Sequence, residues 1–134
     1  MDAKELFKIA NEAAAKSYSP YSRFRVGAAL VAEDGTIFTG TNVENRSFGL
    51  TICAERSALV AAVSAGHRRF TELVIATPDA EYPVSPCGAC RQVLSEFMDP
   101  DAPVHFGSRP EDLVATTIGV LLPHDALHDL KGTS

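Results

Sequence analysis

Two short apolar runs, TELVIAT at 71–77 and APVHFG at 102–107, each follow a stretch that reads as a helix. The helical stretches are CAERSALVAAVSAG, ending at Gly66, and CGACRQVLSEF, opened by Pro86. Continuous apolar runs of this length read as buried strands, and strands that alternate with helices require a sheet with helices packed on its faces. Upstream, RVGAALVAEDGTIFTGTNVEN carries two β-prone runs around EDG, a hairpin signal because Asp-Gly tolerates the positive φ angles of tight turns. Strands are expected near Arg25–Ala32 and Thr36–Val43. An opening helix places Leu6, Ile9, Ala10, Ala13 and Ala14 on one face, with Asp2 and Glu5 spaced as a capping box and Pro20 closing the region. The last apolar stretch, LVATTIGVLLP, reads as a strand running into a helical turn. No repeat, linker or low-complexity segment divides the chain, so residues 1–134 are expected to form a single α/β domain.

At 134 residues and 46% hydrophobic composition, such a domain buries a real core without disulfide staples. The odd count of three cysteines argues for reduced thiols in a cytosolic setting, used for metal binding or catalysis. The amino terminus interleaves acids and lysines with apolar residues, unlike a signal peptide, and no apolar run approaches the roughly 18 residues that span a bilayer. Net charge is −5, and apart from Arg68 and Arg69 the basic residues are scattered. A nucleic-acid polymer, which needs clustered positive charge, is not the expected partner.

Cys53, Cys87 and Cys90 all fall at expected helix amino ends. A helix amino terminus carries roughly half a positive charge, which favours the metal-binding thiolate. Residues three apart on a helix have Cβ atoms about 5–6 Å apart, so Cys87 and Cys90 can grasp one ion, with Cys53 as the third ligand. Thiolates point to zinc, and three protein ligands with one open position mark a catalytic site, where water takes the fourth place. The alternative is a structural zinc completed by His67, His105, His124 or His128, none of which lies in a ligand-spaced pair with a cysteine.

Zinc with three thiolates carries a net −1, which weakens its power to acidify water. The two helix termini, and Arg56 hydrogen-bonding a thiolate, can offset that excess; the ordinary reading of Arg56 is a surface ion pair. Glu55 would point about 200° from Cys53 on a regular helix. Because Cys53 sits at the irregular helix start, the two can still converge, and Glu55 then serves as general acid/base, a role worth about 10²–10⁴ in rate. Taken alone, a helical Glu is a solvated face residue.

CAE followed by PCGAC matches the pattern of zinc nucleobase deaminases: ligand, one residue, Glu, then Pro-Cys-x-x-Cys. With YSRFRVGAAL, TGTNVEN, GLTICAERSAL and SPCGACRQVLSEF, the chain from about Tyr18 to Phe97 resembles the small zinc-dependent cytidine deaminases of pyrimidine salvage. The resemblance implies a three-layer α/β/α sandwich with a central mixed β-sheet, one zinc per chain and a cytoplasmic homotetramer with active sites completed at subunit interfaces. It implies hydrolysis of cytidine and deoxycytidine to uridine and deoxyuridine with release of ammonia. Glu55 would move protons from the attacking water to N3 and the departing amino group. Asn42 and Glu44 would hold the ribose, Phe24 would pack on the pyrimidine, and the Ala54 backbone would contact the base.

The chain departs from that family at three places. Phe48 stands where Tyr is common, Arg46 where a small residue is usual, and the segment after Pro123 offers Ala126 or Leu127 in place of a terminal Phe. These departures motivate a competing expectation, deamination of a modified or 5'-substituted nucleoside or a nucleoside antibiotic. A third expectation, from the thiolates alone, is a non-catalytic structural zinc module.

Overall fold

The computed structural model describes residues 1–125 and residue 130. The expectations for Ala126, Leu127 and His128 lie outside the described residues. Helix α1 (Ala3–Ala14) leads into strands β1 (Gly27–Ala32) and β2 (Ile37–Thr41), then α2 (Ala54–Ser64), β3 (Phe70–Ala76), α3 (Gly88–Ser95), β4 (Pro103–Gly107), β5 (Val114–Thr117) and α4 (Ile118–Leu121). The five strands form one sheet in the order β2-β1-β3-β4-β5. β3 and β4 pair in parallel and every other pair is antiparallel, so the sheet is mixed.

Strand alternation divides the core into two layers. From β1 and β3, Ala28, Leu30, Leu73 and Ile75 pack with Ala58, Leu59 and Ala62 of α2 and Leu94 of α3. Ala29, Val74 and Ala76 face the other way, onto Leu6, Phe7 and Ala10 of α1. This is the three-layer α/β/α arrangement. Two glycines let helices approach the sheet closely. A Cβ at Gly27 would stand 1.9 Å from the Ala10 carbonyl oxygen in α1, and one at Gly40 would stand 2.3 Å from the Ala58 nitrogen in α2.

The capping box of α1 is present in both directions, with the Glu5 amide donating to Asp2 Oδ1 at 2.9 Å. Beyond its C-cap Ala65, α2 is closed by Gly66, whose φ of +103° is left-handed. The amides of Gly66 and His67 donate back to the Val63 and Ala62 carbonyls, a Schellman closure. The hairpin turns through Gly35 at φ +93°. Both hairpin strands are shorter than expected, for a physical reason. The amides of Arg25 and Val26 donate to the side chains of Asp79 and Asn42 instead of to a neighbouring strand. Beyond Thr41, Val43 makes only isolated bridges to Tyr18 and Ile52. Among the described residues, no helix is long and apolar enough to cross a membrane.

Candidate metal centre and active site

One end of the sheet gathers the site. β1 begins where β2 and β3 end, with Gly27 opposite both Thr41 and Ala76, and Gly107 at the end of β4 also pairs with Ala76. Phe24, Val26, Asn42 and Thr77 therefore meet at the same edge, beneath the amino ends of α2 and α3. Cys53 is the N-cap of α2 and Cys87 the N-cap of α3; neither spends its side chain on a capping bond, so both sulfurs are free for a ligand. Cys90 lies in the first turn of α3 and is buried.

The Sγ atoms of Cys53 and Cys87 are 3.8 Å apart, those of Cys87 and Cys90 3.4 Å, and all three lie within 4.8 Å of one another. Zinc–sulfur bonds of about 2.3 Å in tetrahedral geometry need sulfurs about 3.8 Å apart. The donor set therefore fits zinc. No histidine joins the cluster among the described residues. His67 stacks edge-on against Phe38, with centroids 5.0 Å apart, and His105 sits in β4 opposite Val74 and Ala115. The structural zinc completed by a described histidine is not what the fold builds.

Glu55 is only 4% exposed, not a solvated face residue. It lines a pocket of about 190 Å³ together with Phe24, Asn42, Cys53, Ala54 and Cys87. Because Cys53 precedes the first helical residue, its sulfur and the Glu55 carboxyl reach the same space despite their spacing. Arg56 is no surface ion pair: its Nη2 donates to Cys53 Sγ at 3.4 Å, and its buried Nε has no partner among the described residues.

The Asn42 amide stitches the pocket's edge. Its Oδ1 accepts from Ser17 Oγ at 2.5 Å and from the Val26 amide at 2.9 Å, while Nδ2 donates to the Phe24 carbonyl at 2.8 Å. Glu44 accepts from the amides of Tyr21 and Ser22 and from the Ser22 hydroxyl, holding a loop in which Arg23 adopts a left-handed φ of 58°. Glu44 lines an adjoining pocket of about 290 Å³ with Tyr21, Ser22, Phe48 and Thr51. Thr51 borders both spaces. Phe48 meets Tyr21 edge-on at 5.7 Å, and Arg46 is exposed outside both pockets. Arg25 clamps Asp79 through Nε at 3.0 Å and Nη2 at 2.7 Å, fixing the residue after Phe24 to the chain beyond β3.

The family described as the cytidine and deoxycytidylate deaminase zinc-binding region matches residues 1–106. The chain belongs to that family. It is 49% identical over 123 residues to a cytidine deaminase of Sporosarcina psychrophila, covering 92% of this chain and 90% of the relative. A cytidine deaminase of Halalkalibacterium halodurans is 46% identical over 123 residues, 92% of each chain. The crystal structure of cytidine deaminase from Burkholderia pseudomallei superposes with a TM-score of 0.88 at 44% identity, covering 92% of this chain and 98% of that one.

The electrostatics suit a zinc deaminase of this family. Cys53 is pulled down to about 5, first by its hydrogen bond with Cys90 and then by Arg56 and Cys87, against burial. The same bond with Cys53, then burial and the nearby Glu55, pushes Cys90 up. Negative charge thus settles on the Cys53 sulfur, within 4.8 Å of the other two, where a divalent cation fits. Burial pushes the Glu55 carboxyl up, and the Cys53 charge adds to the effect.

Sequence reading missed Thr77 and Ser85 in the pocket wall. Thr77 directly follows buried β3, and ligands in open α/β sheets bind beyond the carboxyl ends of strands, so position alone could have flagged it. Ser85 stands directly before Pro-Cys, but nothing in a single sequence says that it borders the pocket.

Proposed function

We propose that this protein hydrolyses the 4-amino group of cytidine and deoxycytidine, giving uridine or deoxyuridine and ammonia. The observation that carries the reading is the buried Glu55 carboxyl sharing one small pocket with Cys53 and Cys87 of the zinc-fitting sulfur cluster.

Zinc held by Cys53, Cys87 and Cys90 supplies the Lewis acidity that makes water a nucleophile at neutral pH. Glu55 takes a proton from the attacking water and delivers it to N3 as oxygen bonds to C4. It then carries the second proton to the amino group as the C4–N bond breaks and ammonia departs. The raised affinity of Glu55 for protons suits a group that must both take and return them. Phe24 packs on the ring and the Ala54 backbone meets the base. Asn42 and Glu44 face the ribose from frames their hydrogen bonds already fix. Arg56 withdraws electron density from Cys53.

A pocket of about 190 Å³ is smaller than the roughly 300–1,000 Å³ that encloses a drug-sized ligand. Tyr21 and Phe48, which line the adjoining pocket, are exposed apolar side chains, as are Leu50 and Ile52 close by in sequence to Phe48. Both features support a homotetramer whose subunits complete one another's sites, and light scattering tests it. The single sheet with α1 on one face and α2 and α3 on the other supports a single catalytic domain, and reduced, metal-ligating thiols suit the cytoplasm.

The deciding experiment compares zinc-loaded wild type with Glu55→Gln. We expect ammonia release from cytidine and deoxycytidine in the first. The variant should keep about one zinc per chain and its fold, with turnover lower by at least about 10². Wild type inert on both nucleosides overturns the proposal, and a panel with 5'-substituted nucleosides shows whether Phe48 and Arg46 redirect preference.

A further inference from the structure

We propose that Arg91 is a positioning residue, setting the Ser85–Cys87 wall of the pocket and tying it to α4. The inference rests on the functional reading above for the meaning of that pocket, but its geometry stands apart.

Residues 83–87 belong to no helix or strand, and two of them, Pro83 and Pro86, have no amide hydrogen to donate. Among the described residues, no backbone–backbone hydrogen bond holds 83–86 in place. Yet this segment presents Val84, Ser85 and Cys87 to the pocket. Something else must fix it.

Arg91 sits one turn after Cys87, its amide donating to the Cys87 carbonyl at 3.0 Å. Helical side chains lean toward the helix amino terminus, and here that direction carries the guanidinium back over the preceding loop. Three nitrogens each meet a different acceptor. Nε donates to the Pro86 carbonyl at 2.8 Å, Nη2 to Ser85 Oγ at 3.0 Å and Nη1 to the Leu121 carbonyl at 3.0 Å.

Two of these acceptors, the Pro86 and Leu121 carbonyls, need this donor. Pro86 is buried, and its carbonyl lies outside any ladder, where an unpaired polar group is costly. The Leu121 carbonyl ends α4 and is one of the acceptors a helix leaves without an internal partner. Ser85 accepts from a group that has no lone pair to offer, so its own proton stays uncommitted among the described residues. A planar fork with fixed donor directions can reach all three at once, which a lysine ammonium on a flexible stem does not reproduce.

The test uses Arg91→Ala and Arg91→Lys in the full chain, with Arg69→Ala, which removes a surface ion pair to Asp99, as a control. Three quantities are read: zinc release to a chromophoric chelator without substrate, KM and kcat for cytidine at saturating zinc, and melting temperature. We expect Arg91→Ala to release zinc about tenfold faster and to raise KM about tenfold, with kcat within about threefold of wild type. Arg91→Lys should recover less than half of either effect, and Arg69→Ala should show neither. If Arg91→Ala does not fold, the lysine variant carries the test with the same two readouts. Wild-type zinc release and KM in the lysine variant overturn the proposal, as does a lowered melting temperature with unchanged KM and zinc release. A wild type that fails to deaminate cytidine would refute the functional reading alone, because zinc release is measured without substrate.

Discussion

Arg56 donates from Nη2 to the sulfur of Cys53 across 3.4 Å, one helical turn along α2. This contact places the only guanidinium bonded to a sulfur of the cluster, among the described residues, against a ligand set whose three thiolates exceed the charge of one zinc ion. Replacing it with a neutral amide should leave the site too electron-rich. For Arg56→Gln we expect zinc to remain near one per chain and kcat to fall about 10–100-fold, checked by metal analysis beside steady-state kinetics.

Glu55 trades stability for chemistry. Its carboxyl is buried and pushed toward the protonated form by desolvation, so the folded state gains little from its charge. The amide of Glu55→Gln keeps the shape without the charge. Thermal melting of the zinc-loaded variant should therefore show a midpoint equal to or above wild type, even as turnover is lost.

Gly40 and Gly27 separate site from scaffold. Alanine at either forces a methyl group into helix backbone and should cost at least about 1–3 kcal/mol in denaturant unfolding. At Gly40 the displaced element is α2, whose start carries Cys53 and Glu55, so Gly40→Ala should also lower kcat and hasten zinc loss. At Gly27 the displaced element is α1 on the opposite face, and kcat per folded molecule should hold.

The Asp79–Arg25 clamp sets an acid limit. Hydrogen bonds from the Arg25 side chain and amide hold Asp79 down at about 2, below its ordinary 3.8. A depressed carboxylate contributes stability that is full above its unfolded value and is lost as pH falls through the folded one. Denaturation midpoints of wild type and Asp79→Asn should differ at pH 7, and the gap should close between about pH 4 and pH 2.

Local devices were legible in the sequence because their parts are near neighbours. Asp2 with Glu5, Gly66 behind α2 and Gly35 in the hairpin all act within a few residues, and all stand where they were expected. The thiolate cluster was legible because ligand chemistry admits few residue types. The start of β1 was not: Asp79 lies 54 residues from Arg25, and Asn42 lies 16 from Val26, and their side chains take the amides that a strand reading assigns to the ladder. The burial of Glu55 depended on the irregular start of α2, which helical periodicity does not describe. Arg91 was in plain view within a quoted motif, but a single sequence does not say where a guanidinium reaches.

The sulfurs come from the tips of two helices on the same side of the sheet: α2 packs directly on β1 and β2, whereas α3 leans on α2 and α4. A cation between those tips acts as a rivet joining α3 to the helix that is itself fastened to the plate beneath. Withdraw it, and the helices keep their seats while the gap between them loses its gauge, leaving a folded protein that has forgotten the width of its own mouth.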